Sequence, residues 1–141
     1  MLNKPIVEWI SGHEVYGVGE KAGGKLLALG SAIRPKAVGA GDIIWGAGSL
    51  YGKYFDLPDV KVYAVRGPLT KKLFNLNVPC GEPGLLMPEI YKPEIEKRRG
   101  AGLVPHFTDY KTIKKRYEDK FVINVKSDPF KIIRQLVSCE I

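Results

Sequence analysis

Five short apolar runs punctuate the chain, and each stops at glycine, proline or a polar residue. They are "KLLALGSAI" (25–33), "DIIWGAGSL" (42–50), "KVYAVRG" (61–67), "GLVPHF" (102–107) and "KFVINVKS" (120–127). Each is shorter than a typical helix, and none alternates cleanly between apolar and polar. Continuous short hydrophobicity of this kind is what a strand covered on both faces carries. Helical segments lie between some of the runs. "PLTKKLFNLN" opens with a proline suited to a first helical turn, and "DPFKIIRQLVSC" opens with an aspartate cap followed by proline. The second places Ile132, Ile133, Leu136 and Val137 on one stripe. "PIVEWI" near the start reads as a third helix. Strands alternating with helices predict an α/β domain with a mostly parallel sheet and flanking helices. One domain is expected over residues 1–141, a length that supports a real core.

Composition removes several alternatives. The 45% hydrophobic and 26% charged content is that of a globular chain. No apolar run reaches the roughly 20 residues that cross a bilayer, and "MLNKPIVEWISG" lacks the h-region and cleavage site of a signal peptide. A cytoplasmic location is the expectation. The net charge of +7 points to anionic partners of some kind. Much of it lies in "KPEIEKRR" and "DYKTIKKRYEDK", both mixed with acids, and the second reads as the solvated face of a helix. Aromatic residues do not interleave with the basic ones as a nucleic-acid stacking platform requires, so nucleic acid is not an expected partner. Cys80 and Cys139 stand far apart without ligand-like neighbours, which fits reduced, structural thiols and no metal site.

Three places carry candidate chemistry. In "VYAVRGPLTKKL" a strand stops at Arg66, turns at Gly67 and starts a helix at Pro68. In open α/β sheets the ligand crevice lies beyond the carboxyl ends of the strands, where helix N-termini favour anions. Arg66 placed there can grip a carboxylate or phosphate with two hydrogen bonds; the alternative is a structural ion pair with a carboxylate such as Glu82. His106, in "GLVPHF", falls where another strand should end, and histidine moves protons near neutral pH. His13 has no identifiable partner and is left outside the site. The turn "WGAGSLYG" holds Gly46, Gly48 and the hydroxyl of Ser49, but Tyr51 stands in the third-glycine place of the dinucleotide fingerprint and no Gly-Lys-Ser follows. Its small residues allow close approach by a ligand or another strand. "GEPGLLMP" reads as a rigid structural connection.

Taken in series, "GDIIWGAGSL", "VYAVRGPLTKKL", "GEPGLLMP" and "GLVPHFTDY" resemble the N-terminal half of the polysaccharide pyruvyl transferases, over nearly the whole chain. The resemblance implies a Rossmann-like α/β fold with a mostly parallel sheet and flanking helices, one half of a two-domain fold like the B-type glycosyltransferases. It implies transfer of a pyruvyl group from phosphoenolpyruvate, the donor substrate, to two hydroxyls of a sugar as a ketal, with no further cofactor. The acceptor would be a glycan or lipid-linked saccharide of an exopolysaccharide or cell-wall polymer, which adds the inner membrane surface as a place of work. Arg66 matches the family arginine associated with the donor, with Gly46, Gly48 and Ser49 beside it as substrate-binding positions. His106 matches the family histidine after the strand and is the catalytic candidate, as acid or as base.

The departures from the family pattern set a further expectation. The chain opens at "MLNKP", where Leu2 and Asn3 stand at the end of a family turn whose preceding strand is missing. It stops after "DPFKIIRQLVSCEI", before the family's "S-S-x-H-G" motif. A truncated member is therefore expected, inactive alone because a cleft enzyme builds its site from both halves. Such a chain would expose an apolar face, favouring self-association or a partner carrying the missing half. Two other classes fit the same residues: a nucleotide-sugar glycosyltransferase domain, and a non-catalytic remnant or binding domain.

Overall fold

The computed structural model describes residues 3–19, 21–95 and 98–140. Leu2 and positions 96 and 97 of "KPEIEKRR" lie outside the described residues. Contacts divide the chain into two units, Leu2–Ile90 and Tyr91–Ile141.

The N-terminal unit is built on a small parallel sheet of three strands, β1 (Leu26–Leu27), β2 (Ile43–Trp45) and β3 (Lys61–Ala64), in that spatial order. Leu26 and Leu27 pair with Ile43 and Ile44, and Ile43 and Ile44 pair in turn with Lys61 and Val62. An irregularity after Ile44 then sets Trp45 opposite Ala64. The order continues as an isolated parallel bridge between Val65 and Cys80. One face of the sheet makes the core: Ile44, Val65 and Ala47 are fully buried, Ile33 nearly so, and Leu27, Val38 and Phe74 join them. The Phe55 ring stands edge-on to Phe74 with centroids 5.2 Å apart, an arrangement favoured by the ring quadrupoles.

Three helices flank this sheet: α1 (Asn3–Ser11), α2 (Pro68–Leu73) and α3 (Met87–Ile90). In α1 the fully buried Ile6 anchors the helix, which packs on the 3-10 turn Pro83–Leu86 and on α3. The run expected to be helical through Asn77 ends early, because Asn75 adopts a left-handed φ of 49°. Asn75 and Leu76 then donate their N–H groups to the carbonyls of Lys72 and Lys71, satisfying the last turn.

A buried ion pair closes the amino edge of the sheet. Asp42, just before β2, is fully buried, and the Lys25 ammonium, just before β1, reaches its Oδ2 at 2.7 Å. The same carboxylate accepts from the Gly39 N–H at 2.8 Å and the Lys25 N–H at 3.1 Å, while Lys25 Nζ also donates to the Ala22 carbonyl. Burial alone would push the Asp42 carboxyl up; the hydrogen bonds from Lys25 and Gly39 and the Lys25 charge outweigh it and hold it below its ordinary 3.8.

The C-terminal unit holds a two-stranded parallel pair, β4 (Gly102–Leu103) and β5 (Phe121–Val122), with α4 (Tyr110–Arg116) and α5 (Pro129–Val137). Ile123 is fully buried. Asp128 caps α5 as its sequence foretells, its Oδ1 accepting from the Lys131 N–H at 3.0 Å. Of the expected apolar stripe, Ile132 and Ile133 are half-buried, whereas Leu136 and Val137 remain 43% and 40% exposed. Among the described residues no helix is long and apolar enough to cross a membrane.

Candidate functional site

The ladder of the N-terminal sheet runs on past its strand ends and builds the carboxyl edge from backbone. Gly46 N–H donates to Ala64, Arg66 N–H to Ala47, and Gly48 N–H to Gly30. Gly46 has a left-handed φ of 93°, and a Cβ there would overlap Pro83 Cδ and crowd the Gly81 and Ala28 carbonyls. It is buried and serves the junction of the strand ends. The Gly46 and Gly48 N–H groups are therefore spent on the sheet and are not free for a phosphate cradle.

Arg66 supplies the charge instead. Its side chain is partly buried, and among the described residues it makes one side-chain hydrogen bond, from Nη1 to Ser31 Oγ at 3.2 Å. A guanidinium carries five N–H donors, so most of its donor capacity has no protein acceptor among the described residues. The alternative partner is otherwise engaged: Glu82 Oε1 accepts from the Gly30 N–H at 3.3 Å, and Arg66 forms no ion pair among the described residues. Gly48 explains how the guanidinium is held. A Cβ on Gly48 would lie 2.8 Å from Arg66 Nε and 3.0 Å from Cζ, so the guanidinium rests directly on the glycine backbone. The helix that follows contributes less than its sequence promises, because α2 has only six residues.

Ser49 continues from Gly48 into a cavity of about 350 Å³ lined by Ile33, Arg34, Tyr51, Lys53, Tyr54 and Phe55. Its N–H is held by Thr70 Oγ1 at 3.2 Å, and Thr70 is buried in α2. The Ser49 hydroxyl has no protein partner among the described residues. Tyr51 and Tyr54 are 70% and 63% exposed, giving the cavity aromatic walls with polar tips.

His106 lies in the C-terminal unit, three residues beyond β4, and is exposed. Its Nδ1 is 2.8 Å from Thr108 Oγ1, and that hydroxyl donates to Asp109 Oδ1 at 3.0 Å. A carboxylate only accepts, so the one hydroxyl proton belongs to the Asp109 bond and the imidazole must donate from Nδ1. Neutral His106 then presents Nε2 as an acceptor, the form a general base needs.

Ser31, Thr108, Asp109 and the Lys25–Asp42 pair were not singled out in the sequence. Ser31 directly follows a glycine within an apolar run, as Ser49 does, so the same signal was available. Among the described residues no group of three His, Cys, Asp or Glu side chains could hold a metal ion, and Cys80 and Cys139 are free thiols. Comparison with protein-family models, with curated proteins and with solved structures finds no match to this chain.

Proposed function

We propose that this chain binds a carboxylate- and phosphate-bearing donor on Arg66 and belongs to pyruvyl transfer chemistry, with phosphoenolpyruvate as donor and a sugar diol of a glycan or lipid-linked saccharide as acceptor. The observation that carries this reading is Arg66 itself: a partly buried guanidinium at the carboxyl edge of a parallel sheet, held by one hydroxyl and no carboxylate. Orienting an arginine without neutralising it is useful chiefly where an anion is to arrive. On this reading the sheet is one Rossmann-like half of a B-type glycosyltransferase-like fold, working in the cytoplasm at the inner membrane surface. Self-association or a partner completing the cleft belongs to the same proposal.

The chemistry assigns the residues as follows. The donor's methylene carbon takes a proton from an acid, leaving positive charge on the neighbouring carbon. A sugar hydroxyl bonds to that carbon and gives its proton to a general base, a role for which the resemblance offers His106. Phosphate leaves with the electrons of its C–O bond, and the second hydroxyl adds, passing its proton to the departing phosphate, to close the ketal. Arg66 holds the donor's anionic groups throughout. The Ser49 cavity, with Tyr51 and Tyr54, is of a size and polarity to take a sugar ring.

Thermal unfolding tests the donor assignment. At phosphoenolpyruvate about a hundredfold above its Kd, binding stabilises the native state by about 2.7 kcal/mol and raises Tm by several degrees. Arg66→Ala is expected to abolish that rise. A rise with a sugar nucleotide but not with phosphoenolpyruvate would replace this reading with a glycosyltransferase. No ligand-dependent rise that Arg66→Ala or His106→Ala alters would leave a non-catalytic domain.

A further inference from the structure

The C-terminal unit contains a second cationic feature, separate from Arg66 and independent of the reading above. Between α4 and β5 lies an open cavity of about 780 Å³, lined by Tyr110, Lys111, Lys114, Lys115, Lys120 and Phe121, with Glu118 and Val122 completing it. Lys111, Lys114 and Lys115 stand at i, i+3 and i+4, which puts all three ammonium groups on one face of the helix. The side of α4 carrying the half-buried Ile113 lies opposite. Like charges at these spacings repel, and α4 contains no acidic residue to relieve them. The helix C-terminus favours Lys114, Lys115 and Arg116 in its last turn, but Lys111 sits a turn earlier and gains nothing from it.

The charge balance defines what would fit. Lys120 is matched by Asp119 at 2.8 Å, and neither Lys111, Lys114 nor Lys115 forms an ion pair among the described residues. Lys111, Lys114 and Lys115, the Lys114 ammonium lying 5.9 Å from the centre of the Tyr110 ring, stand against Glu118 and leave an excess of two positive charges around the cavity. Tyr110, Phe121 and Val122 are each only partly buried and give it an apolar wall, with the Arg99 guanidinium stacked 4.2 Å from the Phe121 ring. We propose that this cavity binds a phosphate monoester attached to an apolar group, the near-dianionic phosphate on Lys111, Lys114 and Lys115 and the apolar part against Tyr110, Phe121 and Val122.

Phosphatidic acid in a membrane and a soluble aryl or alkyl phosphate present the same chemistry, and the test separates them. The full chain is titrated with phenyl phosphate by calorimetry, and co-sedimented with phosphatidylcholine vesicles with and without phosphatidic acid. The variants are Lys111→Gln/Lys115→Gln and, as a charge-matched control on exposed lysines elsewhere, Lys36→Gln/Lys72→Gln. Binding in either arm that weakens about tenfold or more in the first variant and not in the control is the expected result, and the arm that responds names the source. The proposal is overturned if neither probe binds, if both variants lose binding equally, or if the first variant loses only binding to a short DNA duplex.

Discussion

The two edges of one small sheet treat their cations in opposite ways. At the amino edge Lys25 is enclosed and matched: a carboxylate at 2.7 Å, a carbonyl, and a fully buried partner that two backbone N–H groups also hold. At the carboxyl edge Arg66 has a serine hydroxyl and a glycine to lie on, and forms no ion pair among the described residues. Burying a charge is costly unless it is paired and hydrogen-bonded, so the first arrangement is what stability requires of a buried lysine. The second is only partly buried and leaves most of its donors without a protein acceptor among the described residues. The contrast teaches that charge in this fold is closed where it locks strand register and left open where the strands end.

The largest effect that would break this comparison lies at the closed edge. Asp42→Ala strands the Lys25 ammonium and is expected to cost about 3–5 kcal/mol, seen as a lowered urea midpoint or loss of folded protein. Next comes Gly46→Ala, where a methyl group has no room against Pro83 and the backbone favours glycine; a loss of about 2–4 kcal/mol in the same titration is expected. Acid sharpens the contrast without mutation. Because the folded Asp42 pKa lies below its unfolded 3.8, the stability it contributes is present in full above that value and lost as pH falls through the lower folded value. Chemical denaturation from neutral pH downward should show this loss in the parent, and Asp42→Asn should lack it.

At the open edge the order of effects reverses, with ligand binding responding more than stability. Arg66→Ala is expected to change unfolding free energy by no more than about 1 kcal/mol, since it removes one hydroxyl bond, yet to weaken phosphoenolpyruvate about tenfold or more. Gly48→Ala is the smallest and most informative. The added methyl meets only the mobile end of Arg66, so Tm should barely move while calorimetric affinity falls with the displaced guanidinium.

Much of the fold was legible because apolar runs report burial. All five runs contain a strand, yet the paired segments are only two to four residues long. Ile33 and Ala47 show why: both are buried in the core, but beyond the last ladder residue of their strands. Hydrophobicity marks what is covered, and the hydrogen-bond ladder stops where the chain turns, so run length overstated strand length. Arg66 lies two residues beyond β3 and His106 three residues beyond β4, so both stand past the ends of the strands their runs contain. The Lys25–Asp42 pair was overlooked although its signal was present, a cation opening one run and an anion opening the next. Recognising it required the register that pairs Leu26 with Ile43, which is a tertiary fact. The hydrogen bonds of Thr108 and Asp109 likewise depend on the turn after β4, where the Asp109 N–H reaches back to the His106 carbonyl.

The most direct measurement of the open edge is the Nε–Hε resonance of Arg66, assigned through Arg66→Lys and followed by NMR as phosphoenolpyruvate is added. A saturable shift of that resonance, with the other arginine side chains unmoved and no response to chloride at equal ionic strength, is the expected result. An Arg66 signal that stays still while phosphoenolpyruvate binds elsewhere, or does not bind, would contradict the reading of this arginine as an anion-holding group.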